Sequence, residues 1–257
     1  MSFAFHKMKD NTDSYVTKKN PLWNLPMRLI MVAKTGGGKS SLLGNLLLKE
    51  NGYKNDFLPE NIYIFSGSLE GDKKMKTITQ ELDIEPENQF SDYNESALES
   101  IYDYLVERFN DLVDNGEKDK KVLNSLIILD DLAYSGAFKD NGKNDQIKRI
   151  FFNGRKFLVS IIIISQKYTS VSTPLRENLS GLIIGASSNK QMDLVSGDHN
   201  YLVGGYKPFR QMFLEATDKP YTNLILNFDN DKEHKYYNHS FEPITKYETL
   251  EEKDETL

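Results

Sequence analysis

The sequence predicts an α/β fold, a mostly parallel twisted sheet flanked by helices, and three observations carry that prediction. Short apolar runs alternate with stretches of helical periodicity along the chain, the pattern of strands joined by crossover helices. Residues 125–129 and 160–165 are nearly uniformly apolar and do not alternate with polar ones, as expected of strands buried on both faces. A β-rich segment at 27–32 also runs into a glycine cluster and then into a leucine-rich helix at 40–49.

The remaining elements follow in order. Ile-Tyr-Ile-Phe-Ser at 62–66 reads as the second strand. Residues 95–113 carry Leu98, Ile101, Tyr102, Leu105, Phe109 and Leu112 at three- and four-residue spacing, an amphipathic helix. Residues 125–129 and 160–165 are the third and fourth strands, with a helix at 145–152 between them. Short strands are read at 182–184 and 224–228, with a helix near 207–216 between them. Residues 1–24 are read as an N-terminal arm, 25–245 as one domain and 246–257 as an acidic, disordered tail.

Composition narrows the function classes. At 257 residues, with 39% hydrophobic and 27% charged positions, the chain suits one globular α/β domain. It has no cysteine, which excludes disulfides and thiolate zinc sites. His234 and His239 lie five apart without a zincin pattern, so they are not read as metal ligands. The longest aliphatic run, 159–164, is too short to span a bilayer. The N-terminus lacks a signal-peptide core, and the chain reads as soluble and intracellular. A net charge of −6 argues against a surface that is basic throughout, while leaving room for a local basic patch.

Residues 33–40 read Ala-Lys-Thr-Gly-Gly-Gly-Lys-Ser, a Walker A pattern with alanine at its first glycine position. Such a loop curls backbone N–H groups around a β-phosphate and aims a helix N-terminus at the same anion. Ala33, Lys34, Thr35, Gly36, Gly37, Gly38, Lys39, Ser40 and Ser41 are therefore the candidate nucleotide-binding residues. Lys39 is assigned to the β- and γ-phosphates and the Ser40 hydroxyl to magnesium. A strand precedes the motif and a helix follows it, so the plain glycine-turn alternative is set aside.

About ninety residues on, Leu-Ile-Ile-Leu-Asp-Asp ends an apolar strand with two carboxylates, a Walker B element. The reading places this strand beside the P-loop strand, delivering Asp130 to magnesium and Asp131 to the attacking water. Gln166, just past the fourth strand, is a candidate for the γ-phosphate or the lytic water, its alternative being a solvated loop residue. Arg176 and then Arg155 are candidates for an arginine finger, a device worth about 10³–10⁵ in rate where it operates. An ordinary ion pair is the competing role for either. GTPase signatures are missing: no aspartate has glycine three residues on, and Asn189-Lys190-Gln191-Met192-Asp193 misses the guanine-reading spacing by one. Leu179-Ser180-Gly181-Leu182 stops short of the ABC signature.

The order of these motifs, with Gly154-Arg155 before Ile-Ile-Ile-Ile-Ser-Gln and then Leu175-Arg176-Glu177-Asn178, resembles the FtsK–HerA superfamily of P-loop NTPases. Within it the chain looks most like the poxvirus-type genome-packaging ATPases of large DNA viruses and virophages, over roughly residues 25–230. Lys156 departs from the histidine that such proteins often carry after the arginine. The resemblance implies a RecA-like sheet and a homo-oligomeric ring, pentamer or hexamer, that uses ATP and Mg2+ to move double-stranded DNA of any sequence into a viral capsid. It implies a finger acting across the subunit boundary, and a place in the host cytoplasm, in the virus factory or with the virion. Lys139, Lys143, Lys148 and Arg149 are the candidate pore-facing basic stretch, against the alternative of a solvated face. A cellular or plasmid DNA motor of the same superfamily, or a nucleotide-dependent interaction switch, are the competing functions.

Overall fold

Every strand expected from the sequence is present in the computed structural model, which describes residues 15–139, 145–230 and 234–249. Residues 1–14 of the arm, Lys143 and residues 250–257 of the tail lie outside the described residues. The strands are β1 (Arg28–Val32), β2 (Ile62–Ser66), β3 (Gln89–Phe90), β4 (Ser125–Asp130), β5 (Val159–Ser165), β6 (Gly181–Gly185), β7 (Asn223–Asn227) and β8 (Tyr236–Tyr237). They form one eight-stranded sheet in the order β3-β2-β4-β5-β1-β6-β7-β8. The pairs from β3 across to β6 are parallel, and β7 and β8 add antiparallel pairs at one edge.

One expectation is corrected. The Walker B strand β4 does not pair with β1, because β5 lies between them. The register still aligns their ends: Asp130 faces Ile164 of β5, and Val32 of β1 faces Ser165. β5 is the longest strand, seven residues all buried, with Ile161 to Ile164 fully so, which suits the most enclosed place in a parallel sheet.

The crossovers supply α1 (Lys39–Leu48), α2 (Lys73–Glu81), α3 (Glu95–Asp114), α4 (Lys120–Leu123), α5 (Asp145–Asn153), α6 (Thr173–Glu177), α7 (Asn189–His199) and α8 (Tyr206–Ala216). Side chains alternate between the two faces of each strand with period two. Ile30, Val32, Ile127, Leu129, Ile161 and Ile163 therefore join the core under α3, α5, α7 and α8. Leu29, Met31, Leu126, Ile128, Ile162 and Ile164 join the core on the other face, with Leu43, Leu46 and Leu47 of α1 and Met75 and Ile78 of α2.

Chain on both sides of the sequence-drawn boundary at residue 25 enters this second core. Trp23 and Leu25 are fully buried, and the Trp23 indole N–H donates to the Leu226 carbonyl at 3.0 Å. Tyr15 meets Phe109 edge-on with ring centres 6.2 Å apart. At the other end, Tyr247 donates to Glu215 of α8 at 2.8 Å.

Candidate nucleotide site

In a parallel sheet the carboxyl ends of the strands share one rim, and here that rim is where the chemistry-bearing residues gather. The loop after β1 turns directly into α1. A Cβ on Gly37 would come within 2.8 Å of both the Ala33 side chain and the Lys34 carbonyl, so the tight turn excludes any larger residue. Gly38 caps α1 at φ 87°, a left-handed conformation that L side chains rarely adopt. The opening turn of α1, where the first helical N–H groups have no intrahelical carbonyl to meet, borders this rim with the loop, the arrangement that holds phosphate.

Around this loop opens a cleft of about 780 Å³, lined by Thr35 to Leu42, Ser68, Asp72, Asp130, Asp131 and Gln166. The Lys39 ammonium folds back over the loop and donates to the Ala33 carbonyl at 2.8 Å. Asp130 is 5% exposed and accepts from the Ser66 hydroxyl at 2.9 Å and the Ser68 hydroxyl at 3.3 Å. Burial pushes the Asp130 carboxyl above its ordinary value; the Ser66 bond opposes this, and the neighbouring Asp131 charge adds to it. Asp131 turns out of the strand at φ 52°. Its carboxylate accepts from the Gln166 amide at 2.9 Å, so β4 and β5 present an acid and an amide as one unit. Ser40, Asp130, Asp131, Gln166 and Lys39 thus line one cleft.

Asp72 was not anticipated. It caps α2, accepting from the backbone N–H of Lys74 at 2.8 Å and of Met75 at 3.4 Å, and it accepts the Ser40 hydroxyl at 2.6 Å. Burial alone would raise its carboxyl, but the Ser40 and backbone bonds outweigh burial and leave it below its ordinary value. The available signal was an aspartate just before a helix-forming stretch, which marks an N-cap without saying what else the cap touches. Tyr221 and Asn223 also line the cleft and carried no motif.

The two arginines part company. Arg176 is 7% exposed; it pairs with Asp198 of α7, donates to the Thr173 hydroxyl at 2.9 Å and lies over the Tyr168 ring. A guanidinium held on several sides inside one chain is an internal brace, and the geometry does not present it to a neighbour. Arg155 is exposed, at the amino end of β5. There it lines a second cleft, of about 380 Å³, with Lys18, Arg28 and Asp229. Of the basic stretch, Lys148 pairs with Asp145 at 3.7 Å and Arg149 with Asp103 at 2.7 Å, and Lys139 is exposed.

A glycine-loop strand–helix unit, two strand-end carboxylates and a polar amide on one rim of a parallel sheet define a P-loop nucleoside triphosphatase. Solved structures with the same fold include viral and bacterial proteins. The genome packaging NTPase B204 from Sulfolobus turreted icosahedral virus 2, in complex with AMP, matches with a TM-score of 0.56 at 14% identity, covering 85% of this chain and 98% of that one. The pCW3 conjugation coupling protein TcpA matches at 0.54 and 13% identity, over 92% of this chain and 66% of that one. EssC (ATPases 2 and 3) from Geobacillus thermodenitrificans matches at 0.52 and 16% identity, over 87% and 40%. No curated protein sequence matches. The chain belongs to the Poxvirus A32 protein family, whose sequence model matches residues 15–215.

Proposed function

We propose that this protein is an ATP-hydrolysing motor that drives double-stranded DNA into a viral capsid, working as a homo-oligomeric ring. The observation that carries the proposal is the convergence of Lys39, Ser40, Asp130, Asp131 and Gln166 on one cleft in a chain of the Poxvirus A32 family. B204, a protein of the same fold, is a genome packaging NTPase from a virus.

Each side chain has a distinct task. The Lys39 ammonium leaves its carbonyl partners for the β- and γ-phosphates, exchanging neutral acceptors for charged ones. The Ser40 hydroxyl and the Asp130 carboxylate are hard oxygen donors of the kind Mg2+ takes together with phosphate oxygens. When bound, that ion offsets charge on the phosphates as the transferred group departs. Asp72, already on the Ser40 hydroxyl, holds that oxygen in place. Asp131, oriented by Gln166, takes the proton of the attacking water or aligns it. A general base of this kind contributes about 10²–10⁴-fold.

Arg155 is the finger this fold favours. β5 is seven residues long, about 20 Å at roughly 3.3 Å per residue. A side chain at its amino end therefore stands far from its own nucleotide and would meet a neighbour's only in an assembly. Such a motor grips DNA through backbone phosphates, which accepts any sequence and makes binding salt-dependent. Among the described residues of the basic stretch, Lys139 and Arg149 are exposed and suited to that contact. The protein would work in the host cytoplasm and in association with the capsid.

Translocation is tested by displacement of a triplex-forming oligonucleotide from linear duplex DNA by the full chain with ATP and Mg2+. ATP-dependent displacement that disappears in Lys39→Ala is the expected result. Turnover of ATP without displacement, at protein concentrations where oligomers form, would leave an ATPase that is not a motor.

A further inference from the structure

We propose that Tyr221 is the platform on which the nucleotide's purine base stacks. This deepens the nucleotide reading of the same cleft and rests on it. The strand order places the hydrolytic residues of β4 and β5 on one side of the P-loop strand and β6 and β7 on the other. A triphosphate lying along the loop with its terminal phosphate toward Asp130, Asp131 and Gln166 therefore sends its base toward the segment entering β7. That segment carries Tyr221, the most exposed of the large hydrophobic side chains among the described residues, at 70%.

The ring is held in place on three counts. It lies against the P-loop itself, since a Cβ built on Gly38 would sit 3.2 Å from the Tyr221 Cδ1. The turn leading to it is closed by the Thr222 hydroxyl donating to the Lys219 carbonyl at 2.8 Å and by the Thr222 N–H donating to the same carbonyl at 3.2 Å. The Asn223 amide then donates to the Tyr221 carbonyl at 3.2 Å. Within this turn Tyr221 adopts φ 67°, a left-handed conformation that is strained for an aromatic residue and persists only where its surroundings impose it. An exposed aromatic face, fixed at the mouth of a phosphate site, is suited to base stacking, which tolerates any base because every base has a π-face.

The test is binding of ATP, GTP and inorganic tripolyphosphate, each with Mg2+, to the full chain by calorimetry. Tyr221→Ala is expected to weaken ATP and GTP alike by about tenfold, within the range of aromatic-base stacking, with tripolyphosphate unaffected. Tyr221→Trp should restore both, with indole emission quenched by ATP but not by tripolyphosphate. Equal loss for ATP and tripolyphosphate would assign the ring to supporting the Gly38 backbone and overturn the platform. Unchanged ATP binding in Tyr221→Ala would also overturn it. Failure of the wild-type chain to bind either ligand is a separate result, which would remove the nucleotide reading and the platform with it.

Discussion

Asp130 and Asp131 are neighbours in sequence and differ in environment. Asp130 is enclosed at the end of β4 with two serine hydroxyls for company, while Asp131 leaves the strand and takes its amide partner from β5. Their substitutions should therefore differ in kind. Asp131→Asn is expected to bind ATP normally and lower turnover by about 100-fold or more, measured by nucleotide binding and phosphate release on one preparation. Asp130→Asn should lose Mg2+-dependent turnover and yet stabilise the nucleotide-free protein by about 1 kcal/mol, as removal of a costly functional charge often does. The sign follows from the raised carboxyl value. A carboxylate whose folded pKa lies above its unfolded one costs stability when ionised, so the variant's advantage holds at neutral pH and shrinks as acid protonates the wild-type residue. Chemical denaturation at two pH values reads it. Lys39, Ser40, Asp130 and Asp131 were legible because the P-loop and Walker B patterns are local in sequence, and Gln166 only as the polar residue just past a buried strand. Asp72 and Tyr221 were not, because their contacts with Ser40 and Gly38 are made across the fold by residues whose local sequence announces only a cap and a turn.

Among the elements, β6 shows how a strand can be specified by something outside it. Gly181 opens β6, and a Cβ there would fall 1.8 Å from the Trp23 indole nitrogen. Gly181→Ala must displace a fully buried tryptophan, and a loss of about 3 kcal/mol or more is expected, comparable to other overpacked cores, measured by urea denaturation. The sequence reading found the apolar core of β6 but gave Trp23 to an arm, since Pro21-Leu22-Trp23-Asn24-Leu25-Pro26 is too short and too broken by proline to show a period. Helices α2 and α7 were missed for a related reason: their polar content hides the stripe, and their apolar residues act through tertiary packing. α7 also closes an acid-sensitive network. Tyr168 donates to Asp198 at 2.9 Å, which leaves the His199 Nε2–H to donate to the Tyr168 oxygen, 2.8 Å away. Burial lowers His199 from 6.5 to about 4, against the pull of Asp198. A histidine held neutral in this way supports the fold fully above its unfolded value, and its contribution falls away as pH drops from about 6.5 through about 4. At about 1.4 kcal/mol per pH unit the loss approaches about 3 kcal/mol, and His199→Gln should flatten that part of a stability–pH profile.

At the scale of the whole molecule the sheet has two working ends. The carboxyl rim holds the nucleotide residues, and the opposite end carries Arg155 beside Lys18, Arg28 and Asp229. The sequence put Arg176 ahead of Arg155, because it gives neither burial nor the end of the sheet on which a residue lies; burial of Arg176 against Asp198 favours Arg155 instead. If Arg155 serves a neighbour's nucleotide, Arg155→Ala should turn over ATP slowly, by about 10³-fold, and regain activity when mixed with Lys39→Ala subunits that supply the arginine. Arg176→Ala should instead lose stability, with no rescue by mixing.

The central claim is tested most directly by phosphate release from ATP and Mg2+, with and without linear double-stranded DNA, across protein concentration. A ring-forming DNA motor predicts turnover that rises with DNA and steeply with concentration. Turnover indifferent to both would contradict it and leave a P-loop ATPase whose work is done by single subunits on some other substrate.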